Sequence, residues 1–371
     1  MALYIFITTV VVAMGYFVNG SYRTTAAGGA RGRRQTCVAS RQEFLNKILL
    51  VGIFTILFAL SALRIGIGND YWTYRQQFLY ISGGDRDISY EIGFQWLVRL
   101  MQALFGQDNY RTTFAAVALL TCAFSLKGIY DTADWFVFSF FLFMANGFYF
   151  MSFSTVRYYL ALAFCLYSVK YLLGKQYLPF VLWVILAALF HKTALLVIPA
   201  YLVAYYLKWS KKTLWMIPAA CVVLVVGKPV IRRLLFLIYP FYEGDSILDV
   251  GAVSYVNIAK CAAILVLCLL FYKAAIRDNA KNSMFFNLNL FALILYSCGS
   301  YIPELTRICY YMVIGQIFLL PPVLQSIQDR KMRRFFCGAV IAAYICYFVM
   351  FLIKGKSDYV MILPYLTWIF V

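Results

Sequence analysis

The chain has 371 residues, of which 64% are hydrophobic and only 13% are charged. Soluble domains are about half apolar, so this composition excludes an ordinary soluble domain and predicts a polytopic membrane protein. The formal net charge of +18 would suggest nucleic-acid binding in a soluble protein, but basic loops orient membrane proteins, so we expect no nucleic-acid partner.

Apolar runs bounded by charged or turn residues predict the membrane helices. In chain order the predicted spans are 2–18, 44–63, 113–130, 134–153, 157–173, 177–190, 193–207, 213–227, 253–272, 284–302, 308–327 and 335–353. The segments 91–106 and 359–371 are apolar but short, so we predict an all-α polytopic membrane protein with about 12–14 transmembrane helices. No stretch is polar enough for a soluble domain, so residues 1–371 are predicted to form a single integral membrane domain.

Lysines and arginines orient the predicted helices, because cytoplasmic loops of membrane proteins are enriched in them. The segments "KWSKK", "KAAIRDNAK" and "DRKMRR" all face the cytoplasm if the N-terminus is external and 91–106 does not cross. This orientation predicts a variable basic cytoplasmic loop at 19–43 and external loops at 64–112 and 228–252. The first external loop would then contain 91–106 as an external re-entrant or amphipathic helix.

Cysteine and histidine usage argues against a metal site. The ten cysteines include no CxxC pair, and the chain has one histidine. These numbers and spacings do not indicate a disulfide framework or a zinc site. We therefore expect no metal and no cofactor.

The stretch "LRIGIGNDYWTYRQQF", 63–78, follows the second predicted helix. Tyr71, Tyr74 and Phe78 are spaced to share one helical face, and aromatic faces suit sugar rings, although an interfacial aromatic belt is the alternative. Asp70 precedes them, and an acid beside the bilayer needs a partner or a function.

Two predicted helix ends carry isolated polar groups at the same external face. Arg157, in "FSTVRYYLALAF", opens an apolar helix and either extends towards the headgroups or binds a phosphate through its planar fork. His191, in "AALFHKTALLVIPAY", marks a tight turn between two helices. It either satisfies backbone groups in that turn or acts as a general base.

The stretch "YIPELTRICYYMV", 301–313, places Glu304 and Arg307 one helical turn apart, so the two could pair. Tyr311 lies one turn beyond Arg307. Arginines, tyrosines and acids thus share one face of a membrane domain, a pattern that suits a lipid-linked, phosphate-bearing and polar substrate. The loop "GGARGRR" does not match a phosphate-binding P-loop, and the chain has no room for a nucleotide-sugar Rossmann domain. If sugar is transferred, its donor must therefore already be activated on a lipid.

The ordered set "RIGIGNDYWTYRQQF", "SYEIGFQWLVRLM", "STVRYYLALAF", "FHKTALLVIPAYLV" and "TRICYYMVIGQIFLLP" resembles the EpsG-like family over roughly 50–365. These proteins are relatives of the Wzy-type polymerases of bacterial surface polysaccharides. The resemblance implies a GT-C-like glycosyltransferase architecture in the bacterial inner (plasma) membrane. It also implies an active site facing the periplasm, where lipid-linked repeat units of O-antigen, capsule or exopolysaccharide are joined. Undecaprenyl-diphosphate-linked glycan and the lipid bilayer are the implied partners, with a chain-length regulator or export protein as a further candidate.

Roles for residues follow as hypotheses from that resemblance. A departing diphosphate needs positive charge, and an acceptor hydroxyl needs a base. We expect the diphosphate to be bound by Arg157 and Arg307, with Arg64 and Arg75 next. The expected base is Asp70, with His191 and Glu304 behind it, and the expected sugar-binding residues are Tyr71, Tyr74 and Tyr311. A glycan ligase, a flippase of lipid-linked glycan and a membrane acyltransferase remain alternatives.

Overall fold

The structure is a computed structural model. It describes residues 1–18, 34–83, 90–106, 109–210, 213–238, 253–302, 305–356 and 360–369. Within these ranges the regular elements are α-helices and two short 3₁₀ turns, and the only strand-like pairing is an isolated bridge between Arg64 and Thr367. The predicted all-α fold class is confirmed. Each predicted span coincides with a helix or with a helix broken once.

The chain divides into two compact units, residues Met1–Leu195 with Arg334–Val371, and residues Leu196–Arg333. The prediction of one membrane domain stays a prediction. The first unit contains α1 Ala2–Tyr16, α2 Arg34–Ala62, α3 Tyr71–Gly83, α4 Ile92–Phe105, α5 Tyr110–Thr132, α6 Phe136–Ala145, α7 Phe148–Met151, α8 Val156–Leu173 and α9 Tyr177–Ala188. The second contains α10 Val197–Tyr206, α11 Met216–Val226, α12 Lys228–Ile238, α13 Tyr255–Leu270, α14 Tyr272–Ala275, α15 Ala280–Cys298, α16 Leu305–Val313 and α17 Gln316–Gln325. The final helix, α18 Arg330–Lys354, begins in the second range and continues into the first.

Helix length and hydropathy show that this is a polytopic membrane protein. Five described helices are long and apolar enough to cross a bilayer, and α11 with α12 makes a sixth candidate bent by 70°. Further apolar helices have 10–17 residues. The five long candidates are Gln42–Ala62, Tyr110–Thr132, Val156–Leu173, Leu305–Gln325 and Arg330–Lys354.

The core of the first unit is built around α8. The span that α8 provides is 72% buried inside the protein, whereas that of α18 is 17% buried. Helices α5 and α9 pack along α8, and α2 packs on the far side of α5. In the second unit α15 is central and contacts α10, α13, α16 and α17.

The predicted helix 134–153 is broken in the structure. Helix α6 ends at Ala145, and α7 begins at Phe148 after a turn at Asn146 and Gly147. Gly147 has a φ of +75°, a left-handed conformation that glycine adopts without strain. The Asn-Gly dipeptide is a turn signal that the apolar residues around it obscured.

The predicted external loop 64–112 contains two helices, α3 and α4. Helix α3 carries the predicted face of Tyr71, Tyr74 and Phe78, and α4 corresponds to the predicted helix at 91–106. Helix α4 has 14 residues, too few to cross a bilayer. Its Phe94 and Val98 side chains are buried and Arg99 is exposed, as expected for the predicted amphipathic helix.

The C-terminal residues 360–369 form no helix and pack as an extended segment against 63–68. The backbone N–H of Ile65 donates to Leu366 O at 3.0 Å, and that of Gly68 donates to Met361 O at 2.8 Å. The Tyr4 hydroxyl donates to Ile362 O at 2.6 Å. This segment therefore fixes the backbone that leads into Asp70 and α3.

Candidate active site

Arg157 is the second residue of α8, directly after the turn that ends at Thr155. The turn packs closely on the loop before α3, since a Cβ added to Gly68 would lie 2.2 Å from Phe153 O. A helix N-terminus carries a partial positive charge, so an arginine there is unfavourable without a nearby anion. The fold therefore has to provide a carboxylate at this place.

Glu91 is that carboxylate. Its Oε2 forms an ion pair with Arg157 Nη1, and its Oε1 accepts a hydrogen bond from the Lys192 backbone N–H at 3.3 Å. The side chains of Arg157 and Glu91 are only 17% and 13% exposed. Glu91 is also the N-cap residue of α4, where the helix dipole favours a negative charge.

Aromatic rings surround the Arg157 guanidinium. Its Cζ lies 3.7 Å from the centroid of the Tyr90 ring, 5.8 Å from that of Tyr74 and 5.9 Å from that of Phe94. The Tyr74 hydroxyl and the Arg157 side chain also form a hydrogen bond. We call these residues, Tyr74, Tyr90, Glu91, Phe94 and Arg157, the arginine cage.

The cage leaves one N–H of the guanidinium unsatisfied. The buried Arg157 Nε has no hydrogen-bond partner among the described residues. Because Nε is buried, a phosphate could form the bidentate contact that arginine favours only by displacing a present neighbour of the guanidinium.

Asp70 lies beside the cage. Burial raises the pKa of both Tyr74 and Tyr90; the Asp70 carboxylate raises each further, and Arg157 acts in the opposite direction. Asp70 is partly exposed, immediately before α3. Asp70 is therefore close enough to act electrostatically on two rings of the cage, and its role as a base stays a prediction.

His191 belongs to the same region, because Lys192, whose N–H binds Glu91, is the next residue. The imidazole is buried, with Nδ1 2.6 Å from Thr193 Oγ1. Its ring packs edge-on against Tyr158, with centroids 5.2 Å apart. Three of the stretches singled out in the sequence thus meet at one end of the first unit.

Arg64 and Arg75 differ in their surroundings. Arg64 is 3% exposed and donates to Ser61 Oγ at 3.0 Å and to Phe153 O at 3.5 Å. Its guanidinium also packs on the Phe153 ring at 5.0 Å. Arg75 is exposed and packs on the rings of Trp72 and Tyr110 at 5.5 and 5.1 Å. Arg64 has the contacts of a structural clamp, and its diphosphate role stays a prediction.

The tyrosines predicted to bind sugar are buried. Tyr71 is 1% exposed and stacks nearly parallel on Phe114, with centroids 4.7 Å apart. Tyr74 belongs to the arginine cage. Tyr311, in the second unit, is also buried, and its backbone carbonyl accepts a hydrogen bond from the Tyr201 hydroxyl. Their shared face was predicted correctly for α3, and their contact with sugar stays a prediction.

The remaining predicted residues belong to the second unit. Arg307 lies in the first turn of α16 and is partly exposed. Glu304 lies outside the described residues, so its pairing with Arg307 stays a prediction. Of the external loop 228–252, the structure describes α12 and not 239–252. Nowhere in the described ranges do three His, Cys, Asp or Glu side chains converge as a metal site.

Sequence reasoning missed Glu91 and Tyr90. Both stand in "SYEIG", immediately before an amphipathic helix, and an acid at a helix start is usually explained by capping. Two observations could have identified Glu91. Arg157 at a helix N-terminus needs an anion nearby, and the predicted external loop 64–112, which contains Glu91, lies at the same membrane face.

Comparisons with known proteins give one match. No curated protein and no solved structure matches the chain. A model of the EpsG family matches residues 47–367, which include the whole arginine cage, Asp70 and His191. The chain is therefore a member of the EpsG family.

Proposed function

We propose that this protein is a membrane glycosyltransferase that polymerises lipid-linked oligosaccharide repeat units. Membership of the EpsG family supports a role like that of a polysaccharide polymerase. In the proposed reaction, a growing glycan leaves undecaprenyl diphosphate and joins a sugar hydroxyl of the next lipid-linked unit. The proposed location is the external face of the bacterial plasma membrane, within a GT-C-like architecture.

The arginine cage is the observation that carries this proposal. A guanidinium held against three aromatic rings at a predicted membrane surface can act in two ways. Its planar fork matches the oxygens of a diphosphate, and a fixed positive charge stabilises a leaving group whose charge develops in the transition state. An ammonium would be a point charge without the flat face that packs on Tyr90.

The proposed transfer needs no group that the chain does not provide. The bond between the anomeric carbon and the diphosphate oxygen breaks, and its electron pair stays on the diphosphate. The acceptor oxygen forms the new glycosidic bond and loses its proton to a base. Asp70 and His191 are the predicted bases that lie in the first unit.

The proposed roles of the other predicted residues are separate. Arg75 is exposed on α3, and its proposed role is to bind a phosphate at the surface. Arg307, Glu304 and Tyr311 belong to or flank α16, and each role there needs its own substitution.

The test of the proposed function is the length distribution of glycan in cells with and without this gene. The proposal expects cells lacking the gene to lose long chains while single repeat units are still made and exposed outside. Long chains that persist on the lipid carrier would instead indicate a ligase. Repeat units confined to the cytoplasmic face would indicate a flippase. Unchanged chain lengths on deletion would contradict a polymerase.

A further inference from the structure

Glu91 lies closer to the proposed leaving-group site than any acid predicted from the sequence. Its carboxylate is in direct contact with the guanidinium that would hold the diphosphate. The reacting anomeric carbon is bonded to that diphosphate, and the acceptor hydroxyl has to approach the same carbon. A base has to be within hydrogen-bonding distance of that hydroxyl.

The position of Glu91 is fixed from three sides. Helix α4 begins one residue later and favours the negative charge. The Gly93 backbone N–H donates to Leu189 O at 2.8 Å, and a Cβ added at Gly93 would lie 2.6 Å from that oxygen. The Lys192 N–H binds the second carboxylate oxygen. The carboxylate is therefore fixed at the point where α4, α8 and the end of α9 meet.

Because the guanidinium is enclosed by the cage and its Nη1 is paired with Glu91, a diphosphate that bound it would have to compete with Glu91 for Nη1. A diphosphate is the stronger ligand because it offers several charged oxygens in the geometry that arginine prefers. When the diphosphate occupies Arg157 Nη1, Glu91 loses its ion-pair partner. Its carboxylate is then free to act beside the anomeric carbon.

We propose that Glu91 is the catalytic base of the transfer and that the donor's diphosphate uncovers it by replacing it on Arg157. This inference rests on the proposed polymerase function. The acceptor O–H gives its proton to a Glu91 oxygen, the acceptor oxygen bonds to the anomeric carbon, and the carbon–oxygen bond to the diphosphate breaks with its electron pair on the diphosphate. Glu91 becomes neutral as the diphosphate gains charge, so their repulsion falls during the reaction. The proton then passes to water.

The other two bases in the unit are less well placed for this step. The Nδ1 atom of His191 is engaged by Thr193 Oγ1. Asp70 acts electrostatically on Tyr74 and Tyr90, whereas Glu91 is in direct contact with the Arg157 guanidinium.

The experiment compares Glu91→Gln and Glu91→Asp in cells lacking the native gene and in purified protein in nanodiscs. It measures chain length in the cells and the dissociation constant of undecaprenyl diphosphate in the nanodiscs. We expect Glu91→Gln to lower polymer formation at least about 100-fold, the usual scale for loss of a base. We expect its affinity for undecaprenyl diphosphate to be equal to or higher than that of the wild type, because a competing carboxylate is gone. Glu91→Asp keeps a base and should retain more polymer than Glu91→Gln.

Asp131→Asn is the matched control. Asp131 is a similarly buried carboxylate, 16% exposed, which pairs with Lys170 at 2.8 Å and with Lys127. Asp131 lies near the C-terminus of α5, and its partner Lys170 lies at the end of α8 opposite to Arg157. The loss of this carboxylate should therefore leave polymer formation within about threefold of the wild type.

Three results would overturn the inference. Near-normal polymer from Glu91→Gln would exclude a base at this position. Loss of polymer together with weakened binding of undecaprenyl diphosphate would make Glu91 a positioning residue for Arg157. Failure of the wild-type gene to restore long chains would contradict the proposed function and the inference with it. Complementation by the wild-type gene is therefore measured before any variant is compared.

Discussion

Arg157 shows how a residue that is unfavourable in isolation indicates function. A cation in the first turn of a helix opposes the helix dipole by roughly 0.3–1 kcal/mol, and burying it adds a desolvation cost. Glu91 and the Tyr90 ring offset that cost. A packed apolar side chain would meet the needs of folding equally well, so the arginine is explained better by a ligand than by stability.

Substitution of Arg157 tests the guanidinium itself. We predict that Arg157→Lys loses polymer formation nearly as completely as Arg157→Ala, by about 100-fold or more, because lysine keeps the charge and lacks the bidentate fork. Glycan length in complemented cells measures this. Arg277→Lys is the control, since Arg277 is exposed in the second unit and pairs with Asp278 at 3.2 Å. Long chains made by Arg157→Lys would exclude the phosphate role.

Tyr90 tests the aromatic part of the cage. We predict that Tyr90→Leu weakens binding of undecaprenyl diphosphate by about five- to thirtyfold, because a desolvated cation–π contact contributes about 1–2 kcal/mol to the placement of the guanidinium. Binding to purified protein in nanodiscs is the measurement. Tyr167→Leu removes a contact of the same 3.7 Å length at Lys170, and affinity should survive there. Equal losses from both variants would mean a general effect on folding.

At the scale of elements, α4 is a short helix that positions the site without crossing the membrane. Its hydrophobic pattern predicted a helix at 91–106, and the structure has one at Ile92–Phe105. Its contact with the end of α9 could not be predicted, because it depends on two segments about 100 residues apart in the chain meeting backbone to backbone at Gly93. The sequence shows a glycine at position 93, but it does not show that the Leu189 backbone packs against that glycine.

Gly93→Ala tests that contact. The added Cβ would lie 2.6 Å from Leu189 O, so α4 has to shift, at a cost of about 1–3 kcal/mol. We predict a lower thermal midpoint in detergent and loss of long glycan chains. Gly338→Ala is the control, since a Cβ there meets nothing within 4 Å and alanine favours a helix. Wild-type stability and activity in Gly93→Ala would show that α4 does not need this contact.

The spacing of apolar residues along the chain predicted the helices, whereas the pairing of residues in the candidate site could be seen only in the tertiary structure. The spacing of Tyr71, Tyr74 and Phe78 correctly predicted one helical face, and all three are buried. The break at Gly147 was missed because apolar residues continue on both sides of it. The pairing of Glu91 with Arg157 was missed because no sequence period links residues 66 positions apart.

At the scale of the whole molecule, the lipid solvent explains the fold class. Backbone groups inside a bilayer have to be satisfied within each segment, so a chain of this composition forms helices. Interruptions such as the loop 63–70 occur where protein covers them, here by the C-terminal residues 360–369. The helix ends assigned to one face by loop charges meet in the first unit, at Arg157, Glu91 and Lys192.

The predicted orientation can be measured with single cysteines. Asn109→Cys lies at the end of the predicted external loop 64–112, and Ser210→Cys lies in "KWSKK" on the predicted cytoplasmic side. We predict that a membrane-impermeant thiol reagent labels Asn109→Cys in intact cells and labels Ser210→Cys only after permeabilisation. The unsubstituted protein gives the background from its own cysteines. The reverse labelling would place the arginine cage on the cytoplasmic face.

The central claim is the transfer of glycan from a lipid diphosphate, and reconstitution tests it most directly. The measurement follows chain length and released undecaprenyl diphosphate when purified protein in vesicles receives isolated lipid-linked repeat units. The account predicts longer chains with one undecaprenyl diphosphate released for each new bond, and neither product with Arg157→Ala. Repeat units that stay single and attached to their carrier, in a preparation that is folded and binds undecaprenyl diphosphate, would contradict it.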